Sequence, residues 1–504
     1  MYSKTFTFFT APPCITIECH ISRGIPSLNI IGLPSKSIKE SKDRIKSALN
    51  SIGIELPPKR ITINLNPVDI TKHGNHFDLP IAISILKALN YLRLEDNVLI
   101  AGEISLNGRV LAVRGIINYM LILKDQLSKF KFLILPKDNK NEISILKNYL
   151  PIRVKFISSI PEIFELGKIS ICTDFEEIEV NSEKEELIDL FNSIRGQELA
   201  KYSLTIAVSG RHNLLMIGPP GTGKSVLSKS ALSLFPSPSQ EEFIEIAQVY
   251  NLAGYDFDYW IKFKEIRPYR NPHHTSSYAS IVGGSKEAKM GEITLAHKGI
   301  LFLDEFPEFN KNVIEALREP LESKIITISR VESKVTYPCD FLLIAAMNPC
   351  PCGYYKTNIK ECKCYPNQIS KYWSKLSGPI LDRIDIFIEV SNIPFEKIST
   401  QKYSDYEYYT VLVSNSFKAR ENRKQNKYNS ELSIEEINKY CFNRLERPAK
   451  EAIEKIYEKQ KLSVRKFHKI LKIARTIADL NLEDQISLTS LLNAYKLAIN
   501  RYLE

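Results

Sequence analysis

Residues 218–225 read GPPGTGKS, and no other stretch restricts the possible fold as strongly. The surrounding LLMIGPPGTGKSVLSKSAL runs apolar strand, glycine loop, helix pattern, the context a phosphate-binding loop needs. Gly218, Gly221 and Gly223 let the backbone turn tightly so that its N–H groups face phosphate oxygens, with Pro219, Pro220 and Thr222 completing the loop. Lys224 is placed to reach the outer phosphates, and Ser225 offers a hydroxyl to Mg²⁺. GILFLDEF (299–306) supplies a buried strand with two carboxylates at its C-terminal end, where ligands sit in a parallel sheet. Asp304 is expected to hold Mg²⁺, directly or through water, and Glu305 to polarise the attacking water. FLLIAAMNP (341–349) is a second buried strand, and its terminal Asn348 could orient that water.

These motifs require a nucleoside triphosphate, read as ATP, but leave open whether its energy moves a metal ion, a polypeptide or a nucleic acid. Net charge is +10, from 68 basic and 58 acidic residues in 504, which is compatible with an anionic partner but common without one. No apolar run reaches the ~18 residues of a membrane helix. The start, MYSKTFTFFT, lacks the basic region and long apolar core of a signal peptide, so a cytoplasmic protein with no membrane partner is expected.

The length suits about three domains at ~150 residues each. Residues 1–170 alternate helix and strand patterns. A helix is predicted over 37–57, ending near Gly53, and a strand over 60–67. DLPIAISILKALNYL reads as a second helix, and 99–113 as a hairpin turning at Asn107-Gly108. Residues 171–190 are acidic and read as a solvated linker with room for a helix. Residues 191–392 alternate strand and helix around the phosphate loop. Residues 393–504 are helix-patterned and basic, as in SVRKFHKILKIARTIADL (463–480).

Several further residues carry two readings each. Arg383, in SGPILDRIDIFIEV, stands between two acids. It is either a surface ion pair or an arginine finger entering a neighbour's site, which requires a ring of subunits. Arg465 could be a second sensor on a helical lid, with Arg475 its rival. KIITISRVESKVTYP (324–338) reads as strand, turn, strand. Arg330 and Lys334 flank the turn, and either contact phosphates of a polynucleotide or are simply solvated. Nine cysteines in an odd, clustered arrangement argue against a disulfide framework. Cys350, Cys352, Cys362 and Cys364 form two C-x-C pairs nine residues apart, a quartet suited to Zn²⁺ although tighter than usual; free thiols or redox chemistry remain open. In PHHTSS, adjacent His273 and His274 face opposite ways if extended, which favours a structural or substrate-loop role over a metal pair.

Taken together, GPPGTGKS, AHKGILFLDEFPEF, ALREPLES, AAMNPCPCGYY and LSGPILDRIDI closely resemble the YifB/ComM family of magnesium-chelatase-like AAA+ ATPases. RPYRNPHHTSSYASIVGG and, near the N-terminus, GLPSKSIKESKDRIKSAL, NLNPVDITKHGNHFDLPIA and GEISLNGRVLAVRGI carry the same resemblance. It implies an α/β fold class: a P-loop AAA+ core with an N-terminal ribosomal-S5/Lon-like α/β domain and a C-terminal helical lid domain. It also implies a hexameric helicase that binds DNA without sequence specificity, single-stranded or branched, and promotes branch migration. Asn348 stands at that class's sensor position. Lon-type proteases use a Ser–Lys dyad, but His76 stands where the serine would be and Ile117 where the lysine would be. Isoleucine cannot accept a nucleophile's proton, so no peptidase activity is expected. The competing readings are a magnesium-chelatase ATPase subunit and an ATP-driven protein-remodelling factor.

Overall fold

A computed structural model describes residues 1–9, 14–151, 153–173, 175, 180, 183–284, 289–329, 334–393, 405–500 and 502. They form two packed units, Met1–Glu179 with Ala247–Ile261, and Val180–Ile246 with Lys262–Glu504.

The first unit is built on a seven-stranded mixed sheet. Its order is Ser27–Ile31, Arg60–Asn66, Ile15–Ser22, Tyr2–Thr7, Val98–Ile100, Phe132–Pro136 and Val154–Ile157. Helix Lys36–Ser51 buries Ile38, Ile45, Ala48 and Leu49, one apolar stripe at helical spacing, and Gly53 follows with a left-handed φ of 80°. Helix Asp78–Ala88 is apolar nearly all round, and every residue except Lys87 is buried. Its one buried carboxylate, Asp78, is held by Arg44 Nε at 2.8 Å and by the Ser41 hydroxyl. The predicted hairpin is a two-rung ladder, Glu103↔Leu111 and Ile104↔Val110, turning at Gly108; Val98–Ile100 joins the main sheet instead.

The second unit centres on a five-stranded parallel sheet ordered Tyr269–Arg270, Ile300–Leu303, Leu342–Met347, Leu214–Ile217 and Ile386–Glu389. Its inner strands, LLMI, ILFL and LLIAAM, are buried at every position because both faces are covered. The two-residue side-chain period divides them cleanly. Leu214, Met216, Ile300, Phe302, Leu342, Ile344 and Ala346 enter one core with the helices Glu198–Gly210, Lys224–Leu234 and Val464–Leu480. Leu215, Ile217, Leu301, Leu303, Leu343, Ala345 and Met347 enter the other, against Ile293, Phe306, Trp373 and Ile380. Each buried Leu, Ile or Phe contributes about 1.5–3 kcal/mol, so strand placement here is strongly determined.

The helical segment after residue 405 shares the first of these cores, so packing in this unit continues across the boundary expected at 392/393. The acidic stretch is helical over Lys184–Ser193, with Leu187 and Phe191 in that same core. Its second half is therefore packed structure rather than a solvated linker. Two antiparallel hairpins extend the unit: the expected one, Ile325–Ser329 with Lys334–Pro338, and a short one, Gly283–Gly284 with Lys289–Met290. They touch at Gly283, where an added Cβ would stand 2.7 Å from Ile328 Cδ1. No helix among the described residues is long and apolar enough to cross a membrane.

Candidate active site

The phosphate loop leaves the buried strand Leu214–Ile217 and enters helix Lys224–Leu234. Gly218 packs so closely on Val390 that a Cβ would lie 2.1 Å from its carbonyl oxygen. Gly221 and Gly223 take φ values of 79° and 82°, which L side chains adopt only with strain. Lys224 Nζ donates to the Gly218 and Pro219 carbonyls at 2.8 and 2.9 Å, and Thr222 Oγ1 to Pro219 O at 3.0 Å. Burial lowers the Lys224 pKa, opposed by Asp304 and Glu305. A triphosphate would replace those neutral carbonyls with anionic oxygens.

One cleft brings together residues 220–226, Asp304, Glu305, Met347 and Asn348. The Ser225 hydroxyl donates to Asp304 Oδ2 at 2.7 Å. This all-oxygen pair beside the phosphate loop fits a hard divalent cation such as Mg²⁺. Glu305 holds a left-handed backbone, φ 52°, at the end of the acidic strand, and its N–H donates to Asp304 Oδ1 at 2.9 Å. Such strain in a non-glycine residue persists where the surroundings fix it. Oε2 of Glu305 stands 3.0 Å from Nδ1 of His274. The PHHTSS motif was noticed in the sequence, but this contact was not foreseen.

Arg383 is not in that cleft. It lines a separate one with Arg465, Lys469, Lys472 and Lys324. Its guanidinium pairs with Glu322 and donates to Pro379 O at 2.8 Å. Asn213 explains the position. It precedes the strand that ends at the phosphate loop, and its Nδ2 donates to Arg383 O at 2.9 Å while its Oδ1 accepts from Leu343 N at 3.0 Å. Arg383 is thus anchored at the N-terminal end of strand 214–217, and the phosphates belong at its C-terminal end, about 13 Å away at 3.3 Å per residue. Arg465 is exposed on the first turn of helix Val464–Leu480, whose cap is Ser463. Arg475, its rival, is fully buried, with Nε on Asp479 Oδ1 at 2.9 Å and Nη1 on Asp484 O at 2.9 Å. That pairing makes Arg475 part of the core.

The four cysteines converge. Sγ of Cys350 lies 3.4 Å from Cys352 and 3.7 Å from Cys362, Cys352 lies 3.6 Å from Cys362, and all four sulfurs including Cys364 fall within 4.8 Å. Thiolates at about 2.3 Å from tetrahedral zinc stand about 3.8 Å apart, so the quartet fits that ion. Burial opposes ionisation of Cys352, but the Tyr354 and Lys363 N–H groups and the adjoining thiols outweigh it and bring its pKa down to about 6. The knuckle rests on the nucleotide loop, because a Cβ on Gly353 would come within 2.7 Å of Pro220 Cδ. Trp373 Nε1 ties its base to Pro349 O at 3.1 Å.

Lys334 is exposed at the start of its hairpin strand, opposite Ser329. Arg330 lies outside the described residues. In the first unit, His76 is buried against Phe77 and Tyr119, and burial takes its pKa down to about 4. Ile117 is in the core. Lys72 is fully buried, donating to Gly32 O at 2.9 Å and to Pro67 O. The shallow cleft at His76 is lined by Gly74, Asn75, Glu103, Ala112, Val113, Arg114 and Tyr119.

Comparison with known proteins agrees with this geometry. The family described as magnesium chelatase, subunit ChlI, matches residues 190–398. Those described as subunit ChlI of Mg-chelatase and magnesium chelatase, subunit ChlI C-terminal, match 17–139 and 409–497. The chain is 41% identical over 485 residues to the competence protein ComM of Haemophilus influenzae, covering 94% of this chain and 92% of that one. It is 39% identical over 502 residues to the uncharacterized protein YifB of Salmonella typhimurium, covering 98% and 96%. Similarity to the magnesium-chelatase 67 kDa subunit of Chlorobaculum parvum is 20% over 163 residues, 32% of this chain and 23% of that one.

Proposed function

Because the chain belongs to the YifB/ComM family of magnesium-chelatase-like AAA+ ATPases, we propose that it is a ring-forming DNA motor. In this reading the ring is hexameric and acts as a helicase that promotes branch migration in homologous recombination or natural transformation. The competence name of the Haemophilus relative points to that pathway. The observation that carries the inter-subunit part is the placement of Arg383 at the opposite strand end from its own phosphate loop. One chain holds the loop, the acids and Asn348, and lacks a cation for the far side of the γ-phosphate.

ATP binds with its phosphates on the 218–225 backbone and Lys224. Ser225 and Asp304 would hold Mg²⁺, which when bound neutralises charge on the β- and γ-phosphate oxygens. Asn348 orients water, and Glu305 takes its proton as the water oxygen bonds to the γ-phosphorus. The bond from that phosphorus to the β–γ bridging oxygen breaks, ADP leaves, and the neighbour's Arg383 stabilises the charge. Arg465, in the same cleft as Arg383, follows the nucleotide state and shifts the helical segment.

The Ile325–Pro338 hairpin grips the polynucleotide through Lys334 and Arg330. Lys334→Ala is expected to weaken binding about equally across DNA sequences and to flatten the log–log salt slope by about one, with ATP hydrolysis in the absence of DNA retained. Titrating forked and four-way-junction DNA at several salt concentrations checks this, and an unchanged titration removes the hairpin from the mechanism. ATP-dependent strand separation on the same substrates tests the helicase reading. A chelatase subunit is the weaker alternative, since the similarity to the 67 kDa subunit spans only a third of the chain.

The cysteine quartet is assigned to zinc, which would clip the segment between Asn348 and Arg383 onto Pro220. Elemental analysis after mild purification is expected to find stoichiometric zinc, and Cys362→Ser to lose it together with much of the ATP turnover. A zinc-free, fully active chain ends the assignment.

A further inference from the structure

The loop 271–277 leaves the edge strand Tyr269–Arg270 and passes the C-terminal end of Ile300–Leu303, where Glu305 sits. His273 shapes this turn: its Nδ1 meets Thr275 Oγ1 at 2.8 Å and accepts from Thr275 N at 3.3 Å. His274 is left to face Glu305, with Nδ1 3.0 Å from Oε2, and its ring lies edge-on to Phe309. The chain then runs through a helical turn, Tyr278–Ile281, capped by Ser277, straight into the Gly283–Met290 hairpin. Gly283 packs on Ile328, and Gly291 is so close to Ile281 that a Cβ would meet its carbonyl oxygen at 2.3 Å. Ile328 belongs to the hairpin that carries Lys334. Few residues separate His274 from the hairpin contact, and little slack lies between them.

We propose that His274 is a positioning residue that holds Glu305 off the attacking water until displacement of the two hairpins draws it away. This rests on the ATPase reading of the site and adds its regulation. A carboxylate engaged by an imidazole is a weaker proton acceptor and is aimed at its partner. The side chains of His274 and Glu305 are 28% and 53% exposed. A contact in that setting is weak enough for a small movement to break, unlike a buried pair. The hairpins therefore need to supply little work to release Glu305, and a polynucleotide that moves them raises turnover without altering nucleotide binding.

The test is steady-state ATP hydrolysis by the full chain, with and without DNA, for wild type, His274→Ala and His274→Asn. His274→Ala is expected to raise the DNA-free kcat about two- to fivefold, the range an exposed pair can account for, with KM for ATP unchanged. Its stimulation by DNA should shrink by the same factor. His274→Asn places an amide nitrogen near the Nδ1 position and is expected to stay close to wild type. His274→Leu keeps the side-chain bulk without the nitrogen and replaces the alanine variant should that one not fold. A DNA-free kcat that is unchanged or lowered in the alanine or leucine variant, or an asparagine variant that matches them, overturns the proposal. The DNA-free comparison decides the role of His274 even if wild type ignores DNA, an outcome that would sink the motor reading alone.

Discussion

Glu305→Gln is expected to bind ATP as wild type does and to lose about two to four orders of magnitude in turnover, the usual contribution of a positioned general base. The amide is nearly isosteric, so the left-handed backbone at this position and the N–H bond to Asp304 persist. The carboxamide cannot take the proton of the attacking water. Nucleotide affinity is set elsewhere, by the 218–225 backbone, Lys224 and the Ser225–Asp304 pair, none of which involves the Glu305 side chain. Equilibrium binding of a fluorescent ATP analogue, measured beside phosphate release, separates the two effects. Ordinary turnover in this variant would reassign water activation to another group. The contrast with His274 is one of scale: removing the base costs orders of magnitude, whereas removing its restraint raises the rate a few-fold.

Arg383→Ala is expected to lower turnover by about three to five orders of magnitude, the range known for arginine fingers, while leaving the fold intact. Its partner Glu322 is 64% exposed, so losing that pair costs at most about 1 kcal/mol. The more telling experiment mixes this variant with Glu305→Gln. Each is inactive alone. In mixed rings some seams join a Glu305→Gln chain, which still presents Arg383, to an Arg383→Ala chain, whose phosphate loop and Glu305 are intact. Such seams contain every group the reaction needs, so mixing restores hydrolysis. If Arg383 served its own chain's nucleotide, mixing would restore nothing, because each chain would remain defective by itself.

Features carried by short continuous segments were legible in the sequence. The phosphate loop, the Asp304–Glu305 pair and Asn348 each sit at the end of an apolar run that cannot be other than a buried strand next to such a loop. The two C-x-C pairs were legible as a metal quartet despite their tight spacing, and the sulfurs do converge. What escaped depends on register between distant segments. Asn213 gains meaning only when strands 214–217, 342–347 and 386–389 are aligned, which brings Leu343 and Arg383 to its side chain. The His274–Glu305 contact needs the edge strand placed against Ile300–Leu303. Charge concealed the helix Lys184–Ser193, since only Leu187 and Phe191, four residues apart, mark its buried face. The choice between Arg465 and Arg475 was within reach: Arg475 lies four residues before Asp479, the spacing of a helical ion pair, on the stripe with Leu471 and Ala478.

The central claim is that ATP cleaved at a seam between adjacent protomers drives movement on DNA. Its most direct test is the ATP hydrolysis rate of the full chain with and without forked DNA, while the mass of the particle in solution is followed. The account predicts ring assembly with ATP and faster hydrolysis once DNA is added. A chain that stays monomeric with both present, and hydrolyses ATP at an unchanged rate, contradicts it.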